Sequence, residues 1–275
     1  MLGALQTRIP LNDGHAIPAL GLGVWQAPPG RVTREAVRYA LQLGYRHVDT
    51  ARIYGNEGDV GQALRESGVP REEVFVVTKL WNQDHGLARA RRAFEDSLAV
   101  LGLDYVDLFL IHWPVERRRL ESWKALEEFK REGRARSIGV SNYTVRHLDE
   151  LLHAAQIPPA VNQVEFHPFL VQNELLAHCR EHGIVLTAYS PLAHGEGLGD
   201  PMLAAIGARH GKTAAQVMIR WAIQHGTSVI PKSTRRDRIH ENALVFDFRL
   251  DADEMRQIDA LDRGMRTCWD PTPIA

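Results

Sequence analysis

Eight short apolar runs, separated by amphipathic stretches at a spacing of roughly thirty residues, constrain this 275-residue chain more than any other feature. The runs are LGLGVW (20–25), YRHVD (45–49), VFVVTKL (74–80), VDLFLIH (106–112), SIGVSN (137–142), AVNQVEF (160–166), IVLTAYS (184–190) and SVIPKS (228–233). Most are rich in Val, Ile, Leu and Phe with little polar alternation, the pattern of strands buried on both faces. The stretches between them, such as TREAVRYALQLG, ARARRAFEDSLAVLG, ESWKALEEFKREG and TAAQVMIRWAIQHG, repeat apolar residues at three and four, as one face of a helix does. Several helical patterns stop at a glycine (Gly44, Gly102, Gly133, Gly183, Gly226), the usual residue just past a helix.

Eight β–α units predict an α/β fold, a (β/α)₈ TIM barrel, as one domain over residues 1–275. A doubly wound sheet is the alternative, but it normally has fewer strands and places its ligand at a switch point. Two additions stand out. RIPL and HAIP flank Asn12-Asp13-Gly14, a tight-turn signal for an N-terminal β-hairpin. PMLAAIGARHG adds an extra helix near the C-terminus, between the seventh and eighth runs.

Composition removes several function classes. A net charge of −1 argues against a nucleic-acid partner, which usually meets a basic excess. No apolar run approaches the ~18 residues of a membrane span. Cys179 and Cys268 lie far apart, form neither a metal spacing nor a disulfide framework, and suit a cytoplasmic location. MLGALQTRIP lacks the apolar core of a secretory signal.

In a barrel of this kind the chemistry sits where strands end and βα loops begin. The second run ends at Asp49, the third at Thr78-Lys79 and the fourth at His112. Tyr54 follows the second run by five residues, with Gly55 and Asn56 as the turn that aims its ring inward and Glu57 opening the next helix. Singly, the aspartate reads as a helix cap, the lysine as solvated and the histidine as a packing residue. Together they end three adjacent strands, with Trp25, Trp81 and Trp113 as candidate walls of a substrate pocket. A phenol ionises near pH ~10 and is a poor acid at neutral pH unless a cation favours its phenolate. Lys79 is the candidate cation, Asp49 its counter-charge, and His112 a hydrogen-bonding partner for an oxygen bound beside the phenol. Such a set protonates a carbonyl oxygen, a step worth ~10²–10⁴ in rate. A Schiff base on Lys79 is the rival chemistry, but it needs a neutral amine, which a carboxylate neighbour opposes.

Reduction of a carbonyl needs a hydride donor. The dinucleotide fingerprint is missing, since GLGVWQ gives Gly21 and Gly23 and then Gln26. The eighth run continues as IPKSTRRDRIHEN (230–242), placing Lys232, Ser233, Thr234 and Arg238 where a helix begins. That is an anion site, in the position where many barrels hold phosphate; a solvated basic loop is the plain alternative. Ser141, Asn142 and Gln163 offer amides and a hydroxyl to a carboxamide, and Tyr189 offers a ring face.

These segments, with TKLW, LDYVDLFLIHWP, VNQVEFHP and YSPLA, resemble the aldo-keto reductases along nearly the whole chain, most of all the short bacterial 2,5-diketo-D-gluconate reductases. The resemblance implies a monomeric enzyme that reduces small aldehydes or ketones of diketo-gluconate, methylglyoxal or β-keto ester type. Tyr54 would be its general acid, assisted by Asp49, Lys79 and His112. It also implies extended NADPH, with Ser141, Asn142 and Gln163 at the carboxamide and Tyr189 under the nicotinamide. Ser190 and Leu192 would flank the pyrophosphate, Lys232, Ser233 and Arg238 would take the 2′-phosphate, and Glu241 and Asn242 the adenine. Val24 stands where many members have Thr, and the loop after His112-Trp113-Pro114 is short, which suggests an open site. Arg117, Arg118 and Arg119 on that loop suggest attraction of anionic substrates, against the plainer reading of a solvated loop. The tail CWDPTPIA either folds over the site, bringing Trp269 into the pocket, or frays. A Schiff-base lyase and a non-catalytic NADPH-binding accessory or sensor protein remain as alternatives.

Overall fold

The computed structural model describes residues 5–275. Gly14 takes a φ of +86° in the tight turn, and β1 (Arg8–Pro10) folds back antiparallel on β2 (Ala16–Pro18), Ile9 facing Ile17. Eight parallel strands follow: β3 (Leu22–Gly23), β4 (His47–Asp49), β5 (Phe75–Leu80), β6 (Val106–Ile111), β7 (Ala135–Ser141), β8 (Val161–Glu165), β9 (Val185–Tyr189) and β10 (Ser228–Val229). Each pairs with the next in chain order. The last meets the first. Gly21 N donates to Val229 O at 2.8 Å, Val229 N to Ala19 O at 2.9 Å and Gly23 N to Pro231 O at 3.2 Å. The sheet is therefore closed, a (β/α)₈ barrel with no switch point.

β3 and β10 are shorter than their apolar runs. Pro231 has no N–H to donate, so the ladder there thins to the isolated bridges Leu20–Val229 and Gly23–Lys232. Inward side chains of β5, β6 and β8 (Phe75, Val77, Leu108, Leu110, Val161) pack with Leu11 and Ile17, so the hairpin plugs the barrel floor. Outward side chains meet the helices. Phe94 stacks on Phe129 at 4.2 Å and tilts against Phe109 at 4.5 Å.

The helices are α1 (Arg31–Leu43), α2 (Glu57–Glu66), α3 (Leu87–Leu101), α4 (Arg119–Arg131), α5 (Val145–Ala154), α6 (Asn173–Glu181), α7 (Pro201–His210), α8 (Ala214–Gln224), α9 (Arg236–Ala243) and α10 (Ala252–Asp259). The expected extra helix is α7, begun by Asp200, whose carboxylate accepts from Met202 N and Leu203 N. The five glycines expected at helix ends all lie at positive φ, between +65° and +103°. Among the described residues no helix is long and apolar enough to cross a membrane.

Candidate active site

Three neighbouring strands end together at the open mouth. β4 stops at Asp49, β5 carries Lys79, and His112 follows β6, its N–H extending the ladder to Leu80 O at 3.1 Å. Tyr54 closes a short 3₁₀ turn, Arg52–Tyr54, and Gly55 leaves it at a φ of +68°, the left-handed region that favours glycine. This loop is pinned at several points. Thr50 Oγ1 donates to Asn56 Oδ1 at 2.9 Å, and Asn56 Nδ2 donates to Val24 O at 2.9 Å. Arg52 reaches Asp96 at 3.1 Å and the Ala93 carbonyl at 3.1 Å. α2, which follows, rests backbone to backbone on α3: a Cβ on Gly61 would lie 1.9 Å from Leu101 O.

Lys79 is the hub. Its Nζ donates to Asp49 Oδ1 at 2.6 Å and Thr50 O at 2.8 Å, and lies 3.3 Å from Tyr54 Oη. The second Asp49 oxygen accepts from Gln163 Nε2 at 2.7 Å. Three acceptors around one nitrogen match the three donors of an ammonium. Burial pulls the Lys79 pKa down, and the charge and hydrogen bond of Asp49 oppose it. His112 is held well below the usual imidazole range, first by burial and then by the Lys79 charge, so the ring is neutral. Its Nδ1 has no protein partner among the described residues, and its ring meets Trp81 and Tyr54 edge-on at 5.2 and 5.8 Å.

The phenol corrects an expectation. Burial first, and then the Asp49 charge, raise the Tyr54 pKa well above the ordinary tyrosine value, so the Lys79 ammonium beside it does not bring the phenol into the neutral range. Tyr54 is a neutral, protonated phenol across the physiological range.

A cavity of about 680 Å³ runs from this cluster across the mouth. Trp25, Ile53, Trp81, Trp113 and Trp269 give it apolar wall, and Lys232 and Arg238 also line it. Ser141, Asn142, Gln163, Tyr189, Ser190 and Leu192 line its length, as expected. Their polar groups already form a network. Ser141 Oγ donates to Gln163 O at 2.8 Å, Asn142 Nδ2 to His112 O at 2.9 Å, and Tyr189 Oη to Asn142 Oδ1 at 2.8 Å. Lys232 and Arg238 enter no ion pair among the described residues, whereas neighbouring Arg235 pairs with Asp237.

The other candidates lie outside the cavity lining. Ser233 Oγ accepts from Arg235 N at 3.1 Å, in the turn just ahead of α9. Glu241 accepts from Thr213 Oγ1 at 2.6 Å, toward α8, and Asn242 is buried. Neither these three nor Thr234 is among the cavity-lining residues. In the arginine loop Arg117 and Arg118 are exposed, as the solvated-loop reading expects, and Arg119 is not. Arg119 is buried, donating to Glu150 at 2.6 Å, to Pro114 O at 3.2 Å and to Ala275 O at 2.6 Å, and none of Arg117, Arg118 and Arg119 lines the cavity.

The profile of the Aldo/keto reductase family matches residues 19–263. The chain belongs to the aldo/keto reductase family. Among its relatives, the 9,11-endoperoxide prostaglandin H2 reductase of Trypanosoma cruzi is 51% identical over 96% of this chain and 94% of its own. Glyoxal reductase of Bacillus subtilis is 47% identical over 98% of each. The crystal structure of a Bombyx mori aldo-keto reductase in complex with NADP superposes with a TM-score of 0.90, at 38% identity and 94% coverage of both chains.

In this aldo/keto reductase the lining residues that sequence reasoning did not assign include Ile53, His194, Leu198 and Cys268. Ile53 carried a readable signal, a large apolar side chain in a polar turn. His194 and Cys268 come from the loop after β9 and from the tail, which no pattern places together. The tail does cross the mouth. Thr267 N donates to the buried Glu165 Oε1 at 2.7 Å, and Trp269 lies 5.9 Å from Trp113.

Proposed function

We propose that this protein, as a single barrel domain acting as a monomer, reduces small aldehydes and ketones with NADPH, and that Tyr54 supplies the proton. The observation that supports it most is the chain Asp49–Lys79–Tyr54, whose phenol opens on a cavity also lined by two cations, Lys232 and Arg238, that enter no ion pair among the described residues. NADPH, when bound, supplies a hydride to the carbonyl carbon. The residues suit that cofactor: Lys232 and Arg238 are free to meet a phosphate monoester, Tyr189 offers a ring, and Ser141, Asn142 and Gln163 present amide and hydroxyl edges. Ser233 serves the phosphate end indirectly, by ordering the turn ahead of α9, and Thr234, Glu241 and Asn242 support it from outside the lining.

The protein's own work is to hold and release a proton. Burial keeps Tyr54 protonated until a substrate oxygen gains charge. As the proton leaves Oη for that oxygen, the Lys79 ammonium at 3.3 Å stabilises the phenolate left behind. Asp49 holds Lys79 in its charged form and in place. Neutral His112, fixed by Trp81 and Tyr54, donates a hydrogen bond to the same substrate oxygen. The product is an alcohol, with hydrogen added to carbon and to oxygen.

Among the described residues Lys232 and Arg238 are the only lysine and arginine in the cavity lining, and both belong to the segment after β10, whereas Tyr54 and His112 follow β4 and β6. That favours uncharged substrates, of methylglyoxal or β-keto ester type, over the anionic diketo-gluconates suggested by the likeness to the 2,5-diketo-D-gluconate reductases. The name of the Bacillus subtilis relative, glyoxal reductase, points the same way. A Schiff-base role for Lys79 finds no support, since its side chain is 0% exposed and donates to Asp49. NADPH consumption against a panel of aldehydes, β-keto esters and keto acids tests the reading. Turnover strongest with uncharged carbonyls is expected; no turnover with any of them contradicts it.

A further inference from the structure

Behind β5, on the side away from the cavity, lies a buried carboxylate that this reaction does not use. Glu57 is the first residue of α2, three positions after Tyr54, and is only 5% exposed. Its Oε1 accepts from Thr78 Oγ1 at 2.6 Å, and its Oε2 accepts from Ser97 Oγ of α3 at 3.4 Å. Side chains alternate along a strand, so Thr78 points out toward α2 while the next residue, Lys79, points into the barrel. The Glu57–Thr78 bond therefore ties the loop that carries Tyr54 to the strand that carries Lys79, one residue from the critical 3.3 Å contact on the strand side and three on the loop side.

The charge itself needs a reason. Glu57 makes no ion pair among the described residues; it is satisfied by two hydroxyls and a helix N-terminus. A buried carboxylate with so little compensation is costly, and an amide or an apolar side chain would start the helix at less expense. The charged groups that face it are Arg52, from its own loop, and Lys79, through the strand. Lys79 in turn is faced by Asp49, Tyr54 and His112 on the cavity side. Arg52 is itself paired with Asp96 at 3.1 Å and Asp84 at 3.5 Å, so Lys79 is the cation that Asp49 and Glu57 share from the two sides of the strand.

We propose that Glu57 is a positioning residue for proton transfer, holding Tyr54 against Lys79 through Thr78 and supporting the Lys79 ammonium electrostatically from behind the strand. This rests on the assignment of Tyr54 as the acid. The two parts separate by substitution. Glu57→Gln keeps an oxygen for Thr78 and removes the charge. Thr78→Val removes the bond and keeps the charge.

The test is the single-turnover rate of NADPH consumption with a small aromatic aldehyde, measured across pH for wild type, Glu57→Gln, Thr78→Val and Tyr54→Phe, with NADPH affinity read from tryptophan fluorescence. Glu57→Gln is expected to slow the chemical step about tenfold at unchanged NADPH affinity. It should also move the limb that reports Lys79 to lower pH by roughly one unit, because a neighbouring negative charge is gone. A wild-type rate and profile, or a slower rate with no movement of that limb, overturns the proposal. Should Glu57→Gln not fold, Thr78→Val decides: a loss of about tenfold at unchanged NADPH affinity supports positioning, and an unchanged rate overturns it. Tyr54→Phe separates the two failures. If it stays active, the acid assignment itself is wrong; if it is inactive while the Glu57 and Thr78 variants match wild type, only this proposal falls.

Discussion

Lys79 and Asp49 meet beneath the barrel mouth with Nζ and Oδ1 2.6 Å apart, and their side chains are 0% and 3% exposed. Neither has another charged partner in contact, and Gln163 occupies the remaining carboxylate oxygen.

Removing one member of such a pair strands the other as a buried charge, which typically costs 3–5 kcal/mol, roughly the margin of a stable domain. Asp49→Leu should lower the urea midpoint sharply. Adding Lys79→Met to that background should recover a large part of the loss, because the stranded ammonium is then gone. Equal instability of the single and double variants would show that charge compensation is not what Asp49 supplies.

Arg238 and Lys232 line the cavity and enter no ion pair among the described residues. A charge-assisted hydrogen bond contributes about 1.5–3 kcal/mol. Arg238→Ala should therefore weaken NADPH binding by roughly ten- to hundredfold and leave NADH nearly unaffected. Titration of the free variant with both nucleotides checks this. Equal weakening of the two removes the 2′-phosphate role.

Two histidines outside the site set an acid limit on stability. His47 and His85 are buried, and burial first of all lowers each pKa to about 4. Unfolded histidines titrate near ~6.5, so between pH ~6.5 and ~4 the unfolded chain binds more protons than the native one. Stability is thus intact above ~6.5 and falls as the pH drops toward ~4, by up to roughly 3 kcal/mol per histidine. Urea unfolding at pH 7, 6 and 5 should show midpoints falling in that order. His47→Gln should flatten the decline, and a decline of unchanged steepness in that variant would exclude His47 as a source.

The sequence and the structure agree where a residue's surroundings follow from its place in the pattern. Strands buried on both faces announce themselves, so β4 to β9 and the groups at their ends, Asp49, Lys79 and His112, are legible. Tyr54 is legible through its distance from Asp49. What depends on three-dimensional burial is not. Lys79 beside a phenol suggests a lowered pKa, yet desolvation reverses the direction, and no local pattern reports that. Arg119 looks like a loop cation but faces Glu150 and the chain end, a contact 156 residues away in sequence. The tail is legible only as a choice between folding over and fraying. Glu165, the buried acceptor that decides it, lies about a hundred residues earlier and looks like an ordinary strand residue.

Tyr54→Phe keeps the ring and its contacts with His112 and removes only the hydroxyl. The single-turnover rate of NADPH consumption by this variant, with an aldehyde that wild type reduces, is the most direct measurement. A fall of at least ~10²-fold at nearly unchanged NADPH affinity is predicted, since general-acid catalysis is worth ~10²–10⁴. A rate close to wild type would contradict the assignment of Tyr54 as the proton donor.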